Sequence, residues 1–289
     1  MKKLATYFYL FRYWQWLKNI LIFIPLLLTD LTKTNLLIDH LVLFVLFSFF
    51  VSSTYILNDI KDLKEDRKHP SKNKRPIASG QVSQAESIFL SAFLFFTTIY
   101  LTYYFYGLDI VNLFLCYLLL TIFYSYKLKY IIFLDGFAVS FLYIIRLLIG
   151  GQLSEITISI QLTIYVFFLS LIIFYLKKNS ILNTNDYTNR MKENIKLQNS
   201  RLPISVILNG LLTILNVSLM LWMVAFIDSK LDFLFAFLFI TLHILLLKDL
   251  ISLSQKGLIE DLAKAVFSFK NVKIKIIFTF TFFVLFYYV

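Results

Sequence analysis

An all-α protein that crosses a membrane nine times is the fold class this sequence predicts, and three observations predict it. Of its 289 residues, 59% are hydrophobic and only 16% charged, with a mean hydropathy of +0.77, a composition that excludes an ordinary soluble domain. Nine apolar runs reach the ~20 residues needed to cross the hydrocarbon core. Their approximate limits are 14–32, 36–57, 84–106, 108–126, 130–151, 157–176, 203–227, 231–249 and 272–289. Charge then segregates between alternate connections: of 28 Lys and Arg residues, only Lys33 and Lys230 fall on one side and Arg146 within a span. The positive side is expected to be cytoplasmic, which places the N-terminus inside and the C-terminus outside.

The elements follow in order. Arg12, Trp14, Trp16 and Lys18 precede and open the first run, and read as aromatic rings at headgroup depth beside basic side chains. No small-residue cleavage site follows the start, so this run is expected to be retained. Outer connections such as Tyr106-Gly107-Leu108-Asp109 are short, whereas those at 58–82, 177–202 and 250–271 are long and polar. Chemistry is therefore expected on the cytoplasmic face of a single domain, residues 1–289. The lone Cys116 excludes an intramolecular disulfide. The net charge of +11 is accounted for by topology and anionic ligands, so membrane lipids are implied as partners and nucleic acid is not. His40 and His243 stand isolated, without metal-ligand spacing, and read as interfacial or packing residues. The oligomeric state, including a homo-oligomer, stays open.

Residues 58–80 break the apolar pattern. Asn58 is followed by Asp59, Asp62 and Asp66, at i, i+3 and i+7. On a helix continuing out of the preceding run, these three carboxylates would share one face. Like charges so close imply a cation, and carboxylates favour Mg2+, which keeps waters and bridges to phosphates. Lys72, Lys74 and Arg75 come next, before the turn-forming Pro76 and Gly80. Carboxylates for a metal followed by cations for phosphate is the layout of a diphosphate site. A solvated loop that only sets topology would explain the basic residues but not the acidic ones.

These residues carry a resemblance. Asn58-Asp59-x-x-Asp62-x-x-x-Asp66, with Arg75-Pro76-Ile77-Ala78-Ser79-Gly80 after it, resembles the first signature of the UbiA-type membrane prenyltransferase superfamily. His69-Pro70-x-Lys72-x-x-Arg75-Pro76 is similar to its decaprenyl-phosphate phosphoribosyltransferase branch. Gln15-Trp16-Leu17-Lys18-Asn19, Tyr124-Ser125-x-x-Leu128-Lys129, Asp135 through Arg146 to Gly150, and Lys256 through Asp261 resemble the same branch. The resemblance implies a helical bundle with a cytoplasm-facing active site. It also implies transfer of 5-phosphoribose from phosphoribosyl diphosphate to a polyprenyl phosphate, with Mg2+, for cell-envelope precursor synthesis.

In that reading Asp59, Asp62 and Asp66 hold the metal, with Asn58 beside them. Lys72, Lys74 and Arg75 take the phosphoryl groups, with Lys177 and Lys178 closing from the opposite loop. Lys18 and Lys129, at span ends, are candidates for the lipid phosphate. Arg146 lies deep in an apolar run, where a charge costs about 2.5–3.5 kcal/mol on insertion scales; it must face the interior, toward the lipid phosphate or in a structural partnership with Asp135 or backbone carbonyls. The chain departs from the superfamily in the loop after the sixth run, where residues 177–186 lack a second DxxxD. Ile181 stands where the branch is expected to carry Glu, leaving Asp186 or Glu193 as substitutes. Transfer of an isoprenyl group to an aromatic acceptor is the alternative chemistry. Transport of an anionic solute is a third reading, disfavoured because most of the few Gly and Pro residues lie in loops.

Overall fold

The computed structural model describes residues 2–29, 34–69, 72–131, 133–183, 204–224, 227, 229–259 and 268–288. Asp186, Glu193, Pro70, Glu260 and Asp261 lie outside the described residues. Those described form helices and no strand. Helix α1 covers Lys2–Leu10, a 3-10 helix Tyr13–Phe23, α2 Ile24–Leu27, α3 Thr34–Lys61, α4 Leu63–Lys68 and α5 Gln84–Tyr126. Then come α6 Leu134–Leu153, α7 Ile160–Leu182, α8 Ile204–Val224, α9 Lys230–Gln255 and α10 Lys270–Tyr288. Six of these, α3 and α5 to α9, are long and apolar enough to cross a membrane.

One expectation about the elements changes and another holds. The first apolar run is not an α-helix for most of its length: Tyr13–Phe23 winds as 11 residues of 3-10 helix, whereas such runs rarely exceed 3–4 residues. The runs at 84–106 and 108–126 are two helices, as expected, that meet within a 43-residue stretch at Gly107, whose φ 79 and ψ −174 leave the helical region. At ~1.5 Å per residue that stretch is about twice a hydrocarbon thickness, and glycine supplies the positive φ that the break requires.

The chain divides into two compact units, Met1–Ser125 with Ile145–Thr157, and Tyr126–Ile144 with Ile158–Val289. In the first, the 3-10 helix packs on α3 through polar as well as apolar groups. Trp16 Nε1 donates to Ser52 Oγ at 3.0 Å, and Asn19 Nδ2 to Ser48 Oγ at 2.9 Å. Gly150 of α6 meets the same helix backbone to backbone: a Cβ there would lie 2.9 Å from the Ile22 carbonyl carbon and 3.1 Å from its Cα. Deeper in this unit, Phe47 and Phe50 on α3 pack against Phe114 of α5, edge-on and tilted respectively, each with ring centroids 4.9 Å apart.

In the second unit, Leu171, Ile172 and Leu176 of α7 pack with Leu208 and Leu215 of α8 and Leu247 and Leu250 of α9 in one core. A capping box of Ser229 and Asp232 starts α9, satisfying two of the backbone N–H groups that a helix start leaves open. Three hydrogen bonds tie the end of α9 to α7: Asn179 Nδ2 to Ser254 Oγ (3.0 Å), Ser254 Oγ to the Leu176 carbonyl (2.7 Å) and Ile259 N to Ser180 Oγ (2.8 Å). His40 and His243 are packing residues, hydrogen-bonded to Ser154 and Tyr165 respectively.

Candidate active site

The aspartate segment does not run as one helix. Helix α3 ends at Lys61, Asp62 adopts φ −86 and ψ 4, and α4 starts at Leu63. The ladder is carried across, since Asp62 N donates to the Asn58 carbonyl and Asp66 N to the Asp62 carbonyl, both at 2.9 Å. Asp59 and Asp66 emerge as a buried pair, 4% and 2% exposed, while Asp62 and Asn58 are half-buried. Among the described residues no three carboxylate, imidazole or thiolate groups gather into a preformed metal cage; Asp62 lies outside the ion pairs that Asp59 and Asp66 make.

What joins them is arginine. Arg75 Nη1 donates to Asp59 Oδ1 at 2.9 Å and to Asp66 Oδ2 at 2.6 Å, bridging the two carboxylates. The turn that follows aims it: Ser79 N donates to the Arg75 carbonyl (2.9 Å) and Val82 N to the Pro76 carbonyl (3.1 Å), while Gly80 takes φ 77. Ile77 and Val82 then bury against Leu10, Ile56 and Leu63, which anchors the turn on α1, α3 and α4. A second guanidinium completes the pair. Arg12 Nη2 donates to the same Asp59 Oδ1 and lies over the Tyr55 ring, 5.1 Å from its centroid. Arg12 is left-handed, φ 52 and ψ 48, at the junction of α1 and the 3-10 helix, a conformation costing a non-glycine residue about 1–2 kcal/mol. Read from the sequence as an interfacial anchor, Arg12 is the site residue that reasoning missed. No local signal links it to a carboxylate 47 positions away.

The other expected residues are placed as follows. Lys72 is half-buried, its backbone N–H directed at His69 Nδ1 at 3.4 Å. Lys74 is exposed and borders a cavity of about 360 Å3 lined also by Thr6, Tyr9 and Gln81. Arg146 is 3% exposed; its Nε donates to Asn19 Oδ1 (2.8 Å) and its Nη2 to the Tyr117 hydroxyl (3.0 Å). Lys18 is half-buried. Asp135, expected as a structural partner of Arg146, takes the ammonium of Lys178 within the second unit. Lys178, expected at a phosphate, is instead 5% exposed beside the Phe174 ring. A lysine near the end of a span settles on a carboxylate because an unpaired charge there costs more than a paired one. Lys177 is exposed, and Lys129 is half-buried with its ammonium over the Tyr130 ring.

The donor set fits a hard divalent cation. The ion pairs engage Oδ1 of Asp59 and Oδ2 of Asp66, leaving a second oxygen of each carboxylate outside them. Oxygen ligands from one or two carboxylates, completed by water and phosphate, are what Mg2+ takes.

Comparisons with known proteins bear on this arrangement. Residues 20–271 match the UbiA prenyltransferase family. The chain is 35% identical over 164 residues to the uncharacterized protein y4nM of Sinorhizobium fredii, covering 54% of this chain and 31% of that protein. It is 31% identical over 150 residues to nodulation protein NoeC of Azorhizobium caulinodans, covering 50% and 46%. It is 29% identical over 150 residues to the decaprenyl-phosphate phosphoribosyltransferase of Mycolicibacterium smegmatis, covering 50% and 47%. The matched segments thus span less than half the length of these relatives. Among solved structures, a digeranylgeranylglyceryl phosphate synthase superposes with TM-score 0.63 at 19% identity over 99% of each chain. A UbiA homolog from Archaeoglobus fulgidus, bound to GPP and Mg2+, does so with TM-score 0.60 at 16% identity over 98% of each chain.

Proposed function

The chain belongs to the UbiA prenyltransferase family, an integral membrane transferase, and on that premise we propose that it transfers 5-phosphoribose from phosphoribosyl diphosphate to a polyprenyl phosphate, releasing diphosphate. The observation that carries this reading is the buried Asp59–Asp66 pair bridged by Arg75, carboxylates suited to a metal beside a cation suited to phosphate. Relatives named decaprenyl-phosphate phosphoribosyltransferase at about 30% identity support the choice of donor, as does the absence of a second DxxxD from residues 177–186. The nine spans and the cytoplasmic N-terminus belong to the same reading.

Asp59 and Asp66 hold Mg2+, with Asp62 and Asn58 as further oxygen donors from the same segment. When bound, the ion neutralises the leaving diphosphate as the anomeric bond loosens. Arg75, Lys72 and Lys74 bind the diphosphate and 5-phosphate, Arg as a fork and Lys as a point charge. Lys18, Lys129 and Arg146 are assigned to the polyprenyl phosphate, and Lys177 to the phosphates of the donor. The acceptor is already an anion, so the reaction asks no side chain to act as a strong base. Charge that develops only as the bond breaks is what such a site stabilises selectively.

The test uses protein purified in detergent with labelled phosphoribosyl diphosphate, polyprenyl phosphate and Mg2+. Label should pass into the lipid extract with the wild type and fail to do so with Asp59→Asn or without metal. The GPP and Mg2+ of the Archaeoglobus fulgidus homolog favour a second reading, isoprenyl transfer from a diphosphate. Consumption of an isoprenyl diphosphate in place of phosphoribosyl diphosphate would select it.

A further inference from the structure

The cluster of Arg12, Arg75, Asp59 and Asp66 is electrically balanced, two cations against two carboxylates. A divalent cation entering it would add two positive charges to a site that is almost closed to water. Something must yield, and the two arginines are not equivalent. Arg75 is held twice, by Asp59 at 2.9 Å and by Asp66 at 2.6 Å. Arg12 has one carboxylate partner, Asp59, on the oxygen that Arg75 already uses, and otherwise rests on the Tyr55 ring. Its side chain is 20% exposed against 5% for that of Asp59, so it covers the carboxylate from the outer side. It also does so from a left-handed backbone, a strained conformation that persists only where the surroundings impose it.

We propose that Arg12 is a removable counter-cation of the metal site: it occupies Asp59 while the site is empty of metal and is displaced when a divalent cation takes that carboxylate. Arg12 is thus a positioning residue that acts through Asp59. This inference rests on the assignment of Asp59 to the metal. Its consequence runs opposite to that of an ordinary supporting residue. Removing a neighbour that helps to hold a metal weakens binding, whereas removing a competitor strengthens it.

The experiment is a Mn2+ titration of the full chain in detergent, without diphosphate, reading free Mn2+ by electron paramagnetic resonance. Wild type, Arg12→Gln, Arg12→Lys and Asp59→Asn are compared, with the melting temperature of each recorded. Arg12→Gln is expected to bind Mn2+ roughly tenfold more tightly than wild type, the weight of one charge-assisted hydrogen bond. Arg12→Lys, which keeps the charge and loses the fork, should fall between them, and it carries the comparison if Arg12→Gln melts early. Equal or weaker binding by the folded Arg12 variants, with Asp59→Asn still abolishing it, overturns the role of Arg12 and leaves the metal assignment intact. Binding that ignores Asp59→Asn overturns both.

Discussion

Substituting Lys178 with methionine separates the two roles open to that residue. Methionine keeps most of the length of the side chain and removes its charge, leaving Asp135, 3% exposed, as an unpaired anion. Breaking a buried pair from one side costs about 3–5 kcal/mol. For chains of this size each kcal/mol lowers the melting temperature by about 2–3 °C, so Lys178→Met should melt about 6–15 °C below wild type by intrinsic fluorescence in detergent. Adding Asp135→Asn removes the orphaned charge while its side-chain oxygen still accepts from Gly136 N, a bond of 2.8 Å. The double variant should recover most of the loss, because two matched neutral groups replace the pair at small net cost. A Lys178→Met protein that melts with the wild type but loses phosphoribosyl transfer would refute this reasoning and return Lys178 to the phosphate.

Gly150→Ala forces a methyl group against the Ile22 backbone, where the carbonyl carbon is 2.9 Å away. The 3-10 helix must retreat, and a loss of about 1–3 kcal/mol in stability is expected, measured as a lower melting temperature. Asn19→Leu removes the Oδ1 that accepts from Arg146 Nε at 2.8 Å and should destabilise by about 1–3 kcal/mol through the unmet donor. Arg75→Lys preserves the charge but not the geometry that lets one guanidinium bridge Asp59 and Asp66; lipid-extractable label should fall by more than about tenfold. Removing Mg2+ with a chelator should stop label transfer by the wild type, and returning Mg2+ should restore it.

Much of the helical layout was legible because burial in lipid writes itself into composition. Long apolar runs and displaced lysines mark α3 and α5 to α9 without reference to any partner. The segment from Asn58 to Gly80 was legible for the opposite reason, since nothing but chemistry accounts for carboxylates there. The partners of those carboxylates were not. Arg12 reaches Asp59 through a left-handed residue and a turn, and pairing across 47 positions leaves no trace in spacing. The fate of Lys178 turned on Asp135, 43 residues earlier, so topology and ligand binding explained the lysine equally well until packing placed the carboxylate beside it. The 3-10 helix escaped because Tyr13–Phe23 has the apolar composition of an α-helical span, and composition says nothing of pitch.

That pitch is commensurate with its neighbour. From Trp16 to Asn19 the 3-10 helix climbs three residues, about 6 Å at ~2.0 Å each. From Ser52 to Ser48, the groups they bond, α3 descends four residues, again about 6 Å at ~1.5 Å each. Three steps against four give two rods of different winding the same repeat, as the scales of a vernier coincide at fixed intervals. An α-helical Tyr13–Phe23 would fall out of step with the serines by about 1.5 Å per contact, so the spacing of hydroxyls on α3 acts as a gauge that selects the winding of the segment beside it.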